Sequence, residues 1–202
     1  MFPNPAEPPL VREPNAVSEP GGGAARTTGG LEPHRDSEVF EQLRDRSASF
    51  ARTHGAPPAI PLLCLGTRRD FGARETFTSS FLGVAGIDAP ILEASSPQEF
   101  ASQLRERGAK VAFLCSSPKL YAAQGAQVAQ AARDAGVHTL YLAGQAKELG
   151  QQCGAVNGVI HVGSDVVATL RALLAALDVP ELSGAQQIPA EHGSTGFEGD
   201  QS

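Results

Sequence analysis

No uninterrupted apolar run in the chain approaches the roughly 18 residues that a bilayer span needs. The residues between Met1 and Arg35 also lack a long apolar stretch of the kind that forms a secretory signal, so none is expected there. Positive charge is scarce: 16 Lys and Arg against 22 Asp and Glu leave a formal net charge of -6. That balance argues against nucleic acid, since phosphate binding relies on clustered cations, and the basic concentration at Arg68, Arg69 and Arg74 is a local patch on one loop. Cysteine is limited to Cys64, Cys115 and Cys153, with no C-x-x-C spacing, which fits buried thiols in a reducing cytoplasm better than disulfides or metal. The five histidines form no i,i+4 or Cys-His cluster. His34, His54 and His192 fall in or beside tails and linkers, His138 opens a strand, and His161 sits inside one. Nucleotide fingerprints are missing too, because Gly66-Thr-Arg-Arg-Asp-Phe-Gly72 is neither G-x-G-x-x-G nor G-x-x-x-x-G-K-[ST]. There is no G-x-S-x-G elbow, and Asp70 has no His or Lys partner in sequence for acid-base work; Arg69 or Arg74 could pair with it.

What is present is uneven along the 202 residues. Residues 1 to 35 hold seven of the 15 prolines together with Gly21-Gly22-Gly23 and Gly29-Gly30, a composition that cannot bury enough apolar surface to offset chain entropy. This extension and the tail from 180 to 202 read as disordered. A helix is expected from Ser37, as N-cap, to about Thr53, and residues 36 to 56 read as a linker helix before an α/β domain at 57 to 179.

Within that domain, short apolar runs alternate with helical patterns. Strands are expected at Ile60 to Leu65, around Ala89 to Glu93, and at Val111 to Cys115, Thr139 to Ala143 and Gly158 to Val162. Helices are expected near 74 to 85, 97 to 107, 119 to 135, 145 to 153 and 165 to 178. Ser96-Pro97-Gln-Glu99 supplies a cap and a first-turn proline, Arg107-Gly108 and Ala135-Gly136 supply stops, and Ser164-Asp165 opens the last helix. Runs of this kind imply a parallel sheet covered on both faces, and right-handed crossovers leave few topologies. A flavodoxin-like, doubly wound five-stranded sheet in the order 2-1-3-4-5 is preferred here to a half-Rossmann unit.

In such a sheet ligands lie beyond the carboxyl ends of the strands. The candidate lining is therefore Gly66 to Ala73, Ser116 to Leu120, Gly144 to Ala146 and Gly163 to Asp165, each opening a helix whose free N–H groups suit an anion. These glycines and serines serve equally well as tight turns and caps. Cys115, before Ser116-Ser117, could be a thiolate stabilised by a helix start, although a buried core thiol suits the run better.

Leu63-Cys-Leu-Gly-Thr-Arg-Arg-Asp-Phe-Gly-Ala-Arg-Glu-Thr-Phe-Thr-Ser-Ser-Phe81, Ala85-Gly-Ile-Asp-Ala-Pro90, Leu114-Cys-Ser-Ser-Pro-Lys-Leu-Tyr121 and Leu140-Tyr-Leu-Ala-Gly144 resemble the C-terminal domain of the small subunit of bacterial heterodimeric methylmalonyl-CoA mutase. With the preceding helix, the resemblance covers residues 36 to 179. It implies a cobalamin-binding-like domain of a cobalamin-dependent isomerase family. The related large-subunit domain binds adenosylcobalamin through Asp-x-His-x-x-Gly, followed by Ser-x-Leu and Gly-Gly on later loops. Here Arg68 stands at the Asp, Asp70 at the cobalt-ligating His and Ala73 at the Gly. Ser116-Ser117-Pro118 keeps the Ser without the Leu, and Ala143-Gly144 takes the place of Gly-Gly.

An aspartate cannot supply a neutral imidazole nitrogen, so cobalamin held through a histidine is not expected. Gly66, Arg68, Asp70, Ser116, Ser117, Gly144 and Gly163 remain as candidates on a degenerate site, with no catalytic residue and no metal ligand assigned. The family's small subunit also has a substrate barrel for acyl-CoA, which 202 residues cannot contain. The resemblance therefore implies a non-catalytic, cytoplasmic module that works through contact with a mutase subunit. The alternatives are a cobalamin-binding component of an acyl-CoA isomerase, or an anion or acyl-CoA binder using Arg68, Arg69 and Arg74. The partner surface is expected on the first helix, with Phe40, Leu43 and Phe50 facing outward.

Overall fold

A computed structural model describes residues 36 to 182. The extension at 1 to 35 and most of the tail at 180 to 202 lie outside the described residues, so the expectation of disorder there is left as it stands. Five strands, β1 (Leu62–Cys64), β2 (Ile91–Glu93), β3 (Val111–Cys115), β4 (Thr139–Ala143) and β5 (Gly158–Ile160), form one sheet in the order β2-β1-β3-β4-β5. Every pairing is parallel, with Cys64 opposite Cys115 and Leu63 opposite Leu114. This is the flavodoxin-like order expected from the sequence.

β3 lies at the centre, and all five of its residues are buried. Its side chains divide by parity: Val111, Phe113 and Cys115 enter a cluster with Phe71, Phe81 and Leu170, whereas Ala112 and Leu114 join Phe100, Leu104 and Val128 on the other face. The first cluster is closed by α1 (Asp36–His54), α2 (Arg68–Gly83) and α6 (Val166–Ala176), the second by α3 (Pro97–Arg107) and α5 (Ala126–Asp134). At the start of α3 the Ser96 hydroxyl accepts from Glu99 N at 3.2 Å while Glu99 Oε2 accepts from Ser95 N at 2.8 Å. Gly108 ends the same helix at φ +58. Asp165 caps α6 through Ala168 N at 2.9 Å.

Several expectations are corrected. α2 begins at Arg68, not near residue 74, so Arg68 and Asp70 stand on the first turn of a helix and the loop after β1 shrinks to Leu65-Gly66-Thr67. The cause is Thr67-x-x-Asp70, a capping pair that starts the helix early. The helix expected from residue 119 begins at Pro118, with α4 (Pro118–Leu120) passing through a π-helical turn at Tyr121–Gly125 into α5. Residues 146 to 155 are 3-10 helical, and β5 stops at Ile160, which leaves His161 and Val162 on the following turn.

The first helix departs most from expectation. Ser37 lies inside α1, one residue past its start, and so is not the N-cap. Leu43 is only 2% exposed, and Phe40 and Phe50 pack against the core instead of facing outward. Ser47 Oγ donates to Ala85 O at 2.6 Å, and Arg46 donates from Nη2 to Val179 O at 2.8 Å and from Nε to Pro180 O at 3.1 Å. Among the described residues the exposed large apolar side chains are Ile91 (41%) and Val162 (88%).

Candidate functional site

The carboxyl ends of β1, β3 and β4 are tied together around a buried tyrosine and serine, and beside them Arg74, Ala143, Gly144, Glu148 and Ile160 line a crevice. The π-helical turn places Tyr121, fully buried, under the end of β3. Its hydroxyl accepts from Ser116 N at 2.8 Å and shares its proton between Ala143 O at 2.9 Å and Leu114 O at 3.0 Å. Burial pushes the Tyr121 phenol up, so it stays neutral and keeps that proton. The Ser116 hydroxyl, also buried, donates to Leu65 O at 2.8 Å and so ties the end of β3 to that of β1.

Beside this pair lies Arg74, from the second turn of α2. Its Nη1 donates to Ala143 O, its Cζ stands 5.2 Å from the Tyr121 ring centroid, and Nη1 lies 2.6 Å from Glu148 Oε2. Glu148 belongs to the 3-10 segment after β4, and its Oε2 is shut off from solvent. The contact is an ion pair that lies off the hydrogen-bond axis, and among the described residues Oε2 has no aligned donor. Burial opposes the charge on Arg74, but Glu148 and the Tyr121 side chain outweigh it and hold the guanidinium above its ordinary range.

Each sequence candidate has a definite place. Gly66 adopts φ +88, and a Cβ there would collide with Leu120 and lie 2.8 Å from Asp70 Oδ2. Gly144 adopts φ +149, and a Cβ there would collide with Arg74 Nη1 and lie 2.6 Å from Glu148 Oε2. Both glycines therefore make room for side chains of this chain. Gly163, at φ +96, has open space around it.

Asp70 accepts from Thr67 N at 2.9 Å and Thr67 Oγ1 at 2.7 Å through Oδ2, and its Oδ1 lies 3.4 Å from Ser117 Oγ. The Thr67 backbone bond first, and then the Thr67 hydroxyl, hold its carboxyl below the usual range. Neither Arg69 nor Arg74 pairs with it. Arg68 points away from the crevice to Glu75 at 3.5 Å and is mostly exposed. Cys64 and Cys115 are buried side by side at the strand ends, and the hydrogen bond to Cys115, followed by burial, pushes the Cys64 thiol far up. Among the described residues no group of three His, Cys, Asp or Glu could hold a metal ion. No described helix is long and apolar enough to cross a membrane.

The structure thus brings Gly66, Asp70, Ser116, Ser117 and Gly144 to one end of the sheet and leaves Arg68 and Gly163 at its margin. Sequence reasoning missed Tyr121 and Glu148 and grouped Arg74 with Arg68 and Arg69 as a basic loop patch suited to an anion. Arg74 and Glu148 come from elements far apart in the chain, with no local pattern to link them. Thr67 was legible as the first residue of a T-x-x-D capping pattern.

Fold and crevice define a flavodoxin-like α/β domain with a ligand-type switch point whose glycines are filled from within. The chain is homologous to one segment of the methylmalonyl-CoA mutase small subunit. It is 47% identical over 160 residues to that subunit of Propionibacterium freudenreichii subsp. shermanii, covering 77% of this chain and 24% of that protein. It is 32% identical over 179 residues to the Streptomyces virginiae small subunit, covering 88% and 27%. Against the probable small subunit of Mycobacterium bovis it is 34% identical over 139 residues, covering 68% and 23%. The chain spans about a quarter of the length of these curated relatives. No protein-family model matches it. A 3-dehydroquinate dehydratase-like protein from Bifidobacterium longum shares a TM-score of 0.35 and 13% identity over 60% of this chain and 97% of that one, too slight a likeness to bear on function.

Proposed function

We propose that this domain is a non-catalytic module of a methylmalonyl-CoA mutase assembly, acting through contact with a mutase subunit and without a cobalamin of its own. The observation that carries this reading is Asp70. It stands where the family resemblance puts the cobalt-ligating histidine, and its carboxylate is committed to capping α2 through Thr67. A carboxylate so engaged offers no imidazole nitrogen, and Arg68 offers no carboxylate behind it. The filled space at Gly66 and Gly144 supports the same conclusion. The residues present do not fit the cofactor that the resemblance implies.

The anion-site alternative has less support, since Arg74 is engaged with Glu148 and Ala143 O while Arg68 faces Glu75. Partner contact rests on the relatives, which are small subunits, and no longer on an apolar first helix. Two experiments test the reading. Titration of the purified chain with hydroxocobalamin at about 10 μM, a range in which a specific small-ligand site would saturate, should leave the corrinoid spectrum unchanged. Co-expression with mutase subunits should yield a complex by size-exclusion chromatography. Stoichiometric corrinoid binding, or the absence of any complex at micromolar concentration, would overturn it.

A further inference from the structure

We propose that the crevice beside the end of β4 is a receptor for a guanidinium group, with Arg74 as its resident ligand. Four features meet there, and all suit a planar cation. Ala143 O is a carbonyl acceptor for Nη1, Glu148 Oε2 supplies a carboxylate at 2.6 Å, the Tyr121 ring lies 5.2 Å from Cζ, and Gly144 leaves the approach open. Carbonyl, carboxylate and aromatic face each attract a cation and repel an anion. The Arg74 side chain is only 23% exposed and that of Glu148 15%, so the pair is largely withdrawn from solvent on the wall of a cleft. Gly144, read from sequence as a possible ligand-loop glycine, is required by this internal ligand.

The inference rests on the crevice being free of cofactor, and its test is separable from that reading. Arg74→Ala removes the ligand and leaves its seat. Adding about 20 mM guanidinium chloride, too little to denature, should raise the Tm of the variant saturably by about 2–4 °C. Equal concentrations of ammonium chloride or urea should not, and wild type should show no such rise. Absence of a guanidinium-specific rise in the folded variant would overturn the proposal.

Should Arg74→Ala not fold, side-chain NMR of the wild type decides. A seated guanidinium, held at Nη1, gives separate Nη signals from hindered rotation about Cζ; averaged, freely rotating signals would overturn the proposal. The same spectra, recorded with hydroxocobalamin, separate the two readings. Corrinoid binding that leaves the Arg74 signals unchanged would refute the cofactor-free function yet support the receptor, whereas binding that releases Arg74 would refute both.

Discussion

Gly66 and Gly144 differ from Gly163 in a way their positions in the sequence conceal. All three follow strands, open helical segments and have positive φ, yet Leu120 and Asp70 crowd the first, Arg74 and Glu148 crowd the second, and nothing approaches the third. A glycine at a switch point is commonly read as space left for a ligand. At the β1 end, and where a Cβ would stand at Gly144, the space is taken by the chain itself, but from the end of β4 towards β5 it stays open. There a cleft of about 380 Å³ lies between α2 and the turn carrying the exposed Val162.

The largest expected effect separates the two regions directly. Gly66→Ala adds a methyl group into Leu120 at a left-handed backbone position, combining overpacking with conformational strain, and should cost about 3 kcal/mol in urea unfolding. Gly163→Ala meets the strain alone and should cost about 1 kcal/mol. Equal costs would mean that the crowding at Gly66 relaxes easily and that the closed end is not closed.

A smaller contrast concerns the two tyrosines. Tyr121→Phe leaves Ser116 N without its acceptor and takes the tyrosine donor from Leu114 O and Ala143 O, the latter still held by Arg74, for an expected loss of about 2 kcal/mol. The hydroxyl of Tyr141, half-buried on β4, has no hydrogen bond among the described residues, and Tyr141→Phe should change stability by no more than about 0.5 kcal/mol.

The smallest effect is pH-dependent. Because the folded-state pKa of Asp70 is lowered, its contribution is complete above the ordinary 3.8 and disappears as pH falls through the lower folded value. The Tm difference between wild type and Asp70→Asn should therefore hold steady from about pH 7 to pH 5 and shrink below 3.8. A difference that grows on acidification would assign Asp70 a role other than capping α2.

What could be read from the sequence was local. β3 and β4 are apolar runs bounded by turn residues, and α3 has its serine cap, first-turn proline and terminal glycine within a dozen positions. The sheet order then follows from parallel crossovers. The sequence pattern puts the start of α2 six residues late because Gly72 reads as part of a loop, whereas it lies inside a helix that Thr67-x-x-Asp70 starts. Other features depend on tertiary contacts. No pattern within α1 says that Leu43 meets its own domain rather than a partner, and nothing near Arg74 announces a carboxylate that arrives from beyond β4. The substitution of Asp70 for the family's histidine was visible at once, but its engagement with Thr67 could be seen only in the structure.

Arg46 gives α1 a significance beyond packing. Its guanidinium holds the carbonyls of Val179 and Pro180, just past the end of α6, while Ser47 holds Ala85 after α2. The helix thus acts as a brace between the first crossover and the terminal helix, and its inward face completes a wall of the core. Anyone excising the α/β portion at residue 57, or grafting it onto another scaffold, would leave those carbonyls without their donors and strip one side of the cluster around Leu170. The transplantable unit is the sheet together with its brace, and a graft should begin no later than Asp36.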